Sequence, residues 1–470
     1  MNLARSSLLA AALLAAAFPF PARGQDDDPV ALARDLVDIA RPRVDRGAYT
    51  DAIRDLQEAC TADPANVEAA LLLSRALFET GRSTEAVAAL EGRTDPRAVA
   101  ARAASLFHRG DDAAAEEAAR GALEAAPDLL PARRLLGRIL EETGRPDAAV
   151  DQYLEVNSRW ARSEGEDTDE VLLAVARARL GVFRLSEAYR ANVESVLSRL
   201  EPIGRKDDGL LPALVELGEL YMSMHQQQDA KRWYERALTR NARYAPAIFG
   251  MARHHAFGFD DDQAKEHAER ALRENPAYVP ALLFLARTDL GDGRHEAAAA
   301  RIERALAESP RDAEVRATRA ALLYVRGDRT GFQREVDAIL DRDPRASVAY
   351  LATAGVVEQQ RRFREALGLG EQAIAANPRD WDAHFLVGRN AMNVGDDAKA
   401  EEHLRAAEKG DLFRNIYRHN FLELFEKMQT FPVRDDEAFV VKLPLEEDEA
   451  YYPLLRAELG RSLEVLETRW

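Results

Sequence analysis

The sequence predicts an all-α solenoid: short antiparallel helix pairs stacked in a row, closed by a brief strand–helix extension. Three observations carry that expectation. First, Pro276, Pro310, Pro344 and Pro378 stand 34 residues apart, and such a period marks one supersecondary unit repeated along the chain. Second, with each proline at position 32, position 8 is small in ten of ten units: Ala40, Ser74, Ala103, Gly137, Gly218, Ala252, Ala286, Ala320, Ala354 and Gly388. Position 20 is alanine in nine of them, Phe332 being the exception. Small residues at these two points let paired helices cross closely while larger apolar side chains fill the gaps beside them. Third, a glycine falls at position 15 in Gly47, Gly81, Gly110, Gly144, Gly293, Gly327 and Gly395, and the proline ends the second helix.

Taken in order, residues 1–24 have the form of a secretory signal peptide. Arg5 supplies its positive end, Leu8 to Phe20 an apolar stretch, and Ala22 and Gly24 the small residues before a cut after Gly24. Thirteen apolar residues fall short of the ~20 that span a bilayer. The expected product is periplasmic or secreted, with no membrane span once the leader is gone. An N-terminal array fills 25–155, with repeats 1 to 4 starting at Ala33, Val67, Pro96 and Leu130. An irregular helical connector, 156–210, leads to a second array, 211–414. Its repeats 5 to 10 start at Leu211, Ala245, Val279, Ala313, Ser347 and Trp381. A closing helix, 415–432, carries Phe421, Leu424, Phe425 and Met428 on one face, and 433–470 form the extension.

This pattern resembles the tetratricopeptide repeat (TPR) closely. "PALVELGELYMSMHQQQDAKRWYERAL" carries Leu217-Gly218, Tyr221, Ala230, Tyr234 and Ala237 at the family spacing. The resemblance covers roughly 33–155 and 211–410, and it implies a right-handed superhelix with the first helices lining its concave side.

Composition narrows the function. Without the leader the chain holds 62 basic and 81 acidic residues, a net charge of −19, which repels nucleic acid and anionic membrane. Cys60 is the only cysteine, so no internal disulfide forms, and its place at position 28 of repeat 1 is that of a packed side chain. There is no Walker A loop, no G-x-S-x-G and no Gly-rich dinucleotide turn. His295-Glu296 opens like the zinc-peptidase string H-E-x-x-H, but Ala299 stands where the second histidine belongs, and His254-His255 are adjacent on one helix. No catalytic residue, metal or cofactor is expected within these 470 residues.

What remains is a binding surface. The TPR resemblance implies that positions 2, 5, 9, 12 and 13 hold peptide segments. Position 9 is Arg41, Arg75, Arg138, Arg253, Arg287 and Arg389, six arginines in ten repeats. Position 5 carries Phe249, Leu283, Leu351 and Phe385, and position 12 carries Tyr324 and Met392. Apolar anchors beside guanidinium forks suit an extended protein segment bearing carboxylates. The same arginines also suit pairing with glutamates of neighbouring repeats, a purely structural role.

The extension "EAFVVKLP" places Phe439, Val441 and Leu443 on one side of a strand, expected to be unpaired. "EEDEAYYPLLRAELGRSLEVLETRW" then makes a helix with Tyr452, Leu455, Leu459, Leu463 and Leu466 in a stripe. Together with "FEKMQTFPV", these phrases resemble the opening strand and first helix of the thermolysin-like (gluzincin) zinc peptidase domain that follows TPR arrays in some exported bacterial proteins. Two functions follow: an exported scaffold that binds protein partners in an Arg-lined groove, or the recognition arm of a zinc metallopeptidase whose catalytic domain lies beyond residue 470.

Overall fold

The computed structural model describes residues 28–163, 167–186, 192–410, 416–436 and 439–469. The leader expected at 1–24 lies outside them. Each repeat is a helix pair, beginning with Pro29–Asp45 and Tyr49–Ala62 and ending with Trp381–Val394 and Asp397–Gly410. The starts follow local chemistry. Asp28, Asn66, Asp111, Asp260, Asp312 and Asp380 cap helices by accepting a backbone N–H through the side chain, and prolines occupy the first turns where no N–H is needed.

Packing within a pair depends on the small residue at position 8. At Gly218 a Cβ would lie 2.2 Å from the Tyr234 ring, and at Gly250 of the next repeat 2.4 Å from the same ring. Tyr234 is therefore clamped between two repeats, fully buried, with its hydroxyl donating to Glu219 at 2.9 Å. Tyr153 is held in the same way between Gly137 and Gly181, its hydroxyl donating to Glu141 at 2.8 Å. Gly181 belongs to the connector. The connector helices Asp169–Leu185 and Glu194–Arg205 thus stack as a further pair. Val175, Ala178 and Val182 join the core of repeat 4, while Val196, Leu200 and Ile203 join Ala213 and Leu217 of repeat 5. Apolar clusters run from repeat to repeat along the solenoid, each bridging neighbours, as expected when a unit buries its face only by stacking.

The second array passes alongside the first in register, as successive turns of one superhelix. The loop after repeat 5 sits on the turn of repeat 1, where Asn241 Nδ2 donates to the Tyr49 hydroxyl at 2.9 Å. The loop after repeat 6 sits on repeat 2, Asn275 Nδ2 donating to the Phe78 carbonyl at 3.3 Å. The loop after repeat 7 sits on repeat 3, where the Ser309 hydroxyl donates to the His108 carbonyl at 2.7 Å and His108 meets Glu308 at 3.1 Å. Arg342, ending repeat 8, makes a two-pronged pair with Asp112 of repeat 3 at 2.9 and 2.8 Å.

The extension corrects one expectation. Phe439–Lys442 is paired: Val433–Asp436 runs antiparallel to it, with Val433 opposite Lys442 and Asp436 opposite Phe439. Arg434 has a specific task in this hairpin. Its guanidinium bridges to buried Asp448 at 2.5 Å and so ties the hairpin to the helix Leu445–Arg469. Lys442 pairs with Asp397 of repeat 10, seating the hairpin on the last repeat.

Candidate partner-binding surface

The six position-9 arginines project from first helices, and each faces a carboxylate. Arg41 pairs with Glu68 at 2.8 Å and Arg75 with Asp45 at 3.3 Å. Arg253 pairs with Glu219, and Arg287 with Glu314 while its Nε donates to Thr318 at 3.1 Å. Arg389 forks onto Glu358 at 2.9 and 2.5 Å and lies over the Phe385 ring at 5.3 Å. Arg138 pairs within its helix with Glu142 at 2.7 Å. Five of these six pairs cross a repeat boundary, so the ladder does help hold the stack. The guanidinium side chains nevertheless keep 30 to 53% of their surface open. Such half-open pairs contribute at most about 1 kcal/mol each, so an incoming carboxylate can exchange with the resident one.

The apolar candidates divide. Phe249, Leu283 and Phe385 are in the core at 6 to 9% exposure, Phe249 edge-on to Tyr278 and Phe284. Tyr324, Leu351 and Met392 are half-buried; the Tyr324 hydroxyl donates to Glu365 at 3.1 Å and its ring lies beneath Arg329. Gln360 Nε2 donates to the Leu290 carbonyl at 3.3 Å, joining first helices two repeats apart. The arginines are therefore partly exposed, while half of the predicted anchors lie in the core.

Other polar groups on the inner side are not singled out by repeat position 9. Glu79 ends the first helix of repeat 2, and burial raises its carboxyl to about 7 against the opposing charge of Arg75. The Tyr49, Tyr244 and Tyr278 phenols, drawn from both arrays, are close enough to feel Glu79, and burial raises all three. Arg134, beside Arg177 and Arg138, is pushed down to about 9 by burial first and by those two cations second. The inter-turn contacts have one signal in the sequence: position 31 is Asn241, Asn275, Ser309, Asp343 and Asn377, the last four just before the proline.

The chemical candidates have ordinary surroundings. Cys60 is half-buried against the core of repeats 1 and 2, and burial raises its thiol. His255 stacks on His267 at 5.1 Å and meets His254 edge-on at 5.4 Å. Among the described residues no group of three or more His, Cys, Asp or Glu is placed to hold a metal, and no helix is long and apolar enough to cross a membrane.

Family profiles described as tetratricopeptide repeat match residues 43–107, 211–244, 260–322, 289–354 and 358–412. The chain is a tetratricopeptide-repeat protein. No curated protein matches its sequence. Among solved structures, yeast Tom70 aligns over 85% of this TPR protein and 97% of its own chain, at 12% identity and a TM-score of 0.34. The APC/C hetero-tetramer Cut9-Hcn1 aligns over 86% and 96%, at 13% identity and a TM-score of 0.31. Tetratricopeptide repeats typically form scaffolds for protein–protein interaction and are generally non-catalytic, and the helix pairs of this TPR protein build such a scaffold.

Proposed function

We propose that this TPR scaffold is exported and holds extended, carboxylate-bearing segments of protein partners on the surface lined by Arg41, Arg75, Arg138, Arg253, Arg287 and Arg389. One observation carries the reading: six guanidiniums recur at one position of the first helices, each partly open to solvent and each paired with a carboxylate that a partner's can replace. A partner carboxylate takes the place of Glu219 or Glu314 and gains the forked geometry that arginine offers. Reversing Arg253 and Arg287 to glutamate together is expected to abolish partner pull-down while the helical circular dichroism stays unchanged. Unchanged pull-down with the fold intact assigns the ladder to stacking alone.

A second reading has its own support. On the helix Leu445–Arg469, Leu455, Leu459 and Leu466 are 38, 40 and 56% exposed, a stripe that a following domain would cover. Together with the resemblance of this segment to the opening of a zinc peptidase domain, it supports the reading of a recognition arm whose catalytic part follows residue 470. The intact mass of the protein from its native host decides it: a mass matching 25–470 leaves a free scaffold, and one larger by a domain makes the groove a substrate-presenting arm.

A further inference from the structure

Repeat 2 departs from its sisters on the outer side of the solenoid. Its second helix, Ser83–Ala88, has 6 residues, while those of repeats 1, 3, 5, 6, 7, 9 and 10 each have 14. The chain turns away through Gly92, at φ 73°, and repeat 3 begins at Pro96. The outer face of repeat 3 is thereby left uncovered. Between the end of the short helix and the pair Pro96–His108 and Asp112–Ala125 lies a cleft of about 1000 Å³, floored by Val99, Leu106, Ala118 and Gly121.

Two features show that a helix-shaped piece is missing. The second helix is eight residues shorter than its sisters, and eight helical residues form a rod about 12 Å long and 10 Å wide, roughly 950 Å³, close to the volume of the cleft. The sister position of Gly121 is Arg236, Arg270 and Arg304 in repeats 5, 6 and 7. Each of these donates to a backbone carbonyl of the preceding helix pair at 2.8 Å (Arg205, Ala242 and Pro276 respectively). Repeat 3 has glycine instead, and a Cβ there would meet nothing within 4 Å.

The rim states what would fit. Glu91, Glu117 and Glu124 line the cleft and are exposed; among the described residues none of them faces a cation at ion-pair distance, whereas Glu116 is taken by Arg120 and Arg145. Arg102 also lines the cleft, with its Nε shut off from solvent and, among the described residues, without an acceptor. The last carbonyls of a helix are acceptors of that kind.

We propose that this cleft docks a short amphipathic helix of a partner protein, two to three turns long, with small apolar residues on its buried face and Lys or Arg along both edges. The helix replaces the turns that repeat 2 lacks, its cations meet Glu91, Glu117 and Glu124, and its C-terminal carbonyls face Arg102. This surface is independent of the arginine ladder on the inner side.

The test is selection of binders from a displayed library of 12-residue helical peptides against the whole protein, followed by anisotropy titration of the enriched peptides. Enrichment of Lys- or Arg-edged amphipathic sequences is expected. Gly121→Arg, which restores the sister residue and fills the floor, should weaken them at least tenfold. Gly121→Ala should bind as the parent does, and its unchanged or raised melting temperature controls for folding. Glu117→Lys with Glu124→Lys should shift preference toward acidic helices, and Arg253→Glu with Arg287→Glu should leave binding unchanged. No enrichment, or enriched peptides indifferent to Gly121→Arg, overturns the proposal.

Discussion

The same turn, at position 15 of each repeat, meets two different environments in the two arrays. All ten turns have positive φ, between 59 and 82°. In repeats 1 to 4 the residue is glycine, and the second array presses on it. A Cβ would lie 2.3 Å from Asn241 Oδ1 at Gly47, 2.6 Å from Asn275 Oδ1 at Gly81, 2.8 Å from Arg311 at Gly110 and 3.1 Å from the Arg342 carbonyl at Gly144. In the second array Gly293, Gly327 and Gly395 have nothing within 4 Å, and three turns dispense with glycine: His225, Phe259 and Arg361. Glycine in the first array thus serves two needs, a left-handed backbone and close approach, and in the second array only the first. One local rule therefore makes the turn, and a distant contact decides how strictly it must be glycine.

If the inter-turn contact is an energetic part of the fold, its strongest element is the Asp112–Arg342 pair, whose side chains are 10 and 11% exposed. Asp112→Ala leaves the enclosed guanidinium with only the more distant Glu142, at 3.9 Å, and is expected to cost up to about 3–5 kcal/mol. Chemical denaturation, with Arg342→Ala and the double variant completing a cycle, measures this. A cost below about 1 kcal/mol would mean that the two arrays part freely.

The glycine comparison gives the next largest effect. Gly293→Ala pays the left-handed backbone alone, about 1–2 kcal/mol. Gly47→Ala pays that and the overlap with Asn241, a further ~1–3 kcal/mol. Scattering should show a larger radius of gyration for Gly47→Ala and an unchanged one for Gly293→Ala. Equal costs at the two sites would remove the close approach from the argument.

Charge probes the same junction. Glu79 sits near Tyr49 of the first array and Tyr244 and Tyr278 of the second, with Arg75 as the opposing cation. Its folded pKa of about 7 lies above the ~4.3 of an unfolded glutamate. Between those values the folded chain holds a proton that the unfolded chain has lost. Glu79 therefore lowers stability as pH rises through that window, and the loss is complete above pH 7. Glu79→Gln should melt above the parent by a small margin at pH 5 and by a clearly larger one at pH 8. Coincident melting at both values would place the carboxylate in open solvent.

How much of this was legible follows from what each signal depends on. The helix pairs were readable because positions 8, 15, 20 and 32 repeat, and each is fixed by contacts within one or two neighbouring units. Gly181 shows the limit: it clamps Tyr153 as a repeat glycine does, yet its helix pair lacks the 34-residue frame and reads as irregular. The arginines were readable as a ladder, but their partners, Glu68, Glu219, Glu314 and Glu358, occupy no single position. Phe249 and Phe385 read as lining because sequence gives the face of a helix and not the neighbours that cover it, here Phe284 and Phe421. The register between the arrays depends on the accumulated curvature of the stack, so Asn241 and Asn275 could be seen only as loop residues.

The smallest effect sharpens the comparison from the other side. Phe259 is 92% exposed at φ 59°, so its side chain contributes little and its backbone is strained. His225 has the same φ, but its ring stacks on Tyr417 at 5.8 Å and meets Phe257 edge-on at 4.9 Å. Tyr417 follows repeat 10, so His225 makes for repeat 5 the contact that Gly47 makes for repeat 1. Phe259→Gly should therefore stabilise the protein by about 0.5–1 kcal/mol, the left-handed strain relieved less the entropy of a new glycine. His225→Gly relieves equal strain but gives up ring contacts worth about 0.5–1.5 kcal/mol, and its melting temperature should stay level or fall. Both variants rising together would show that the last turn of the superhelix rests on backbone alone; a rise in Phe259→Gly only would extend the inter-turn contact to the end of the array.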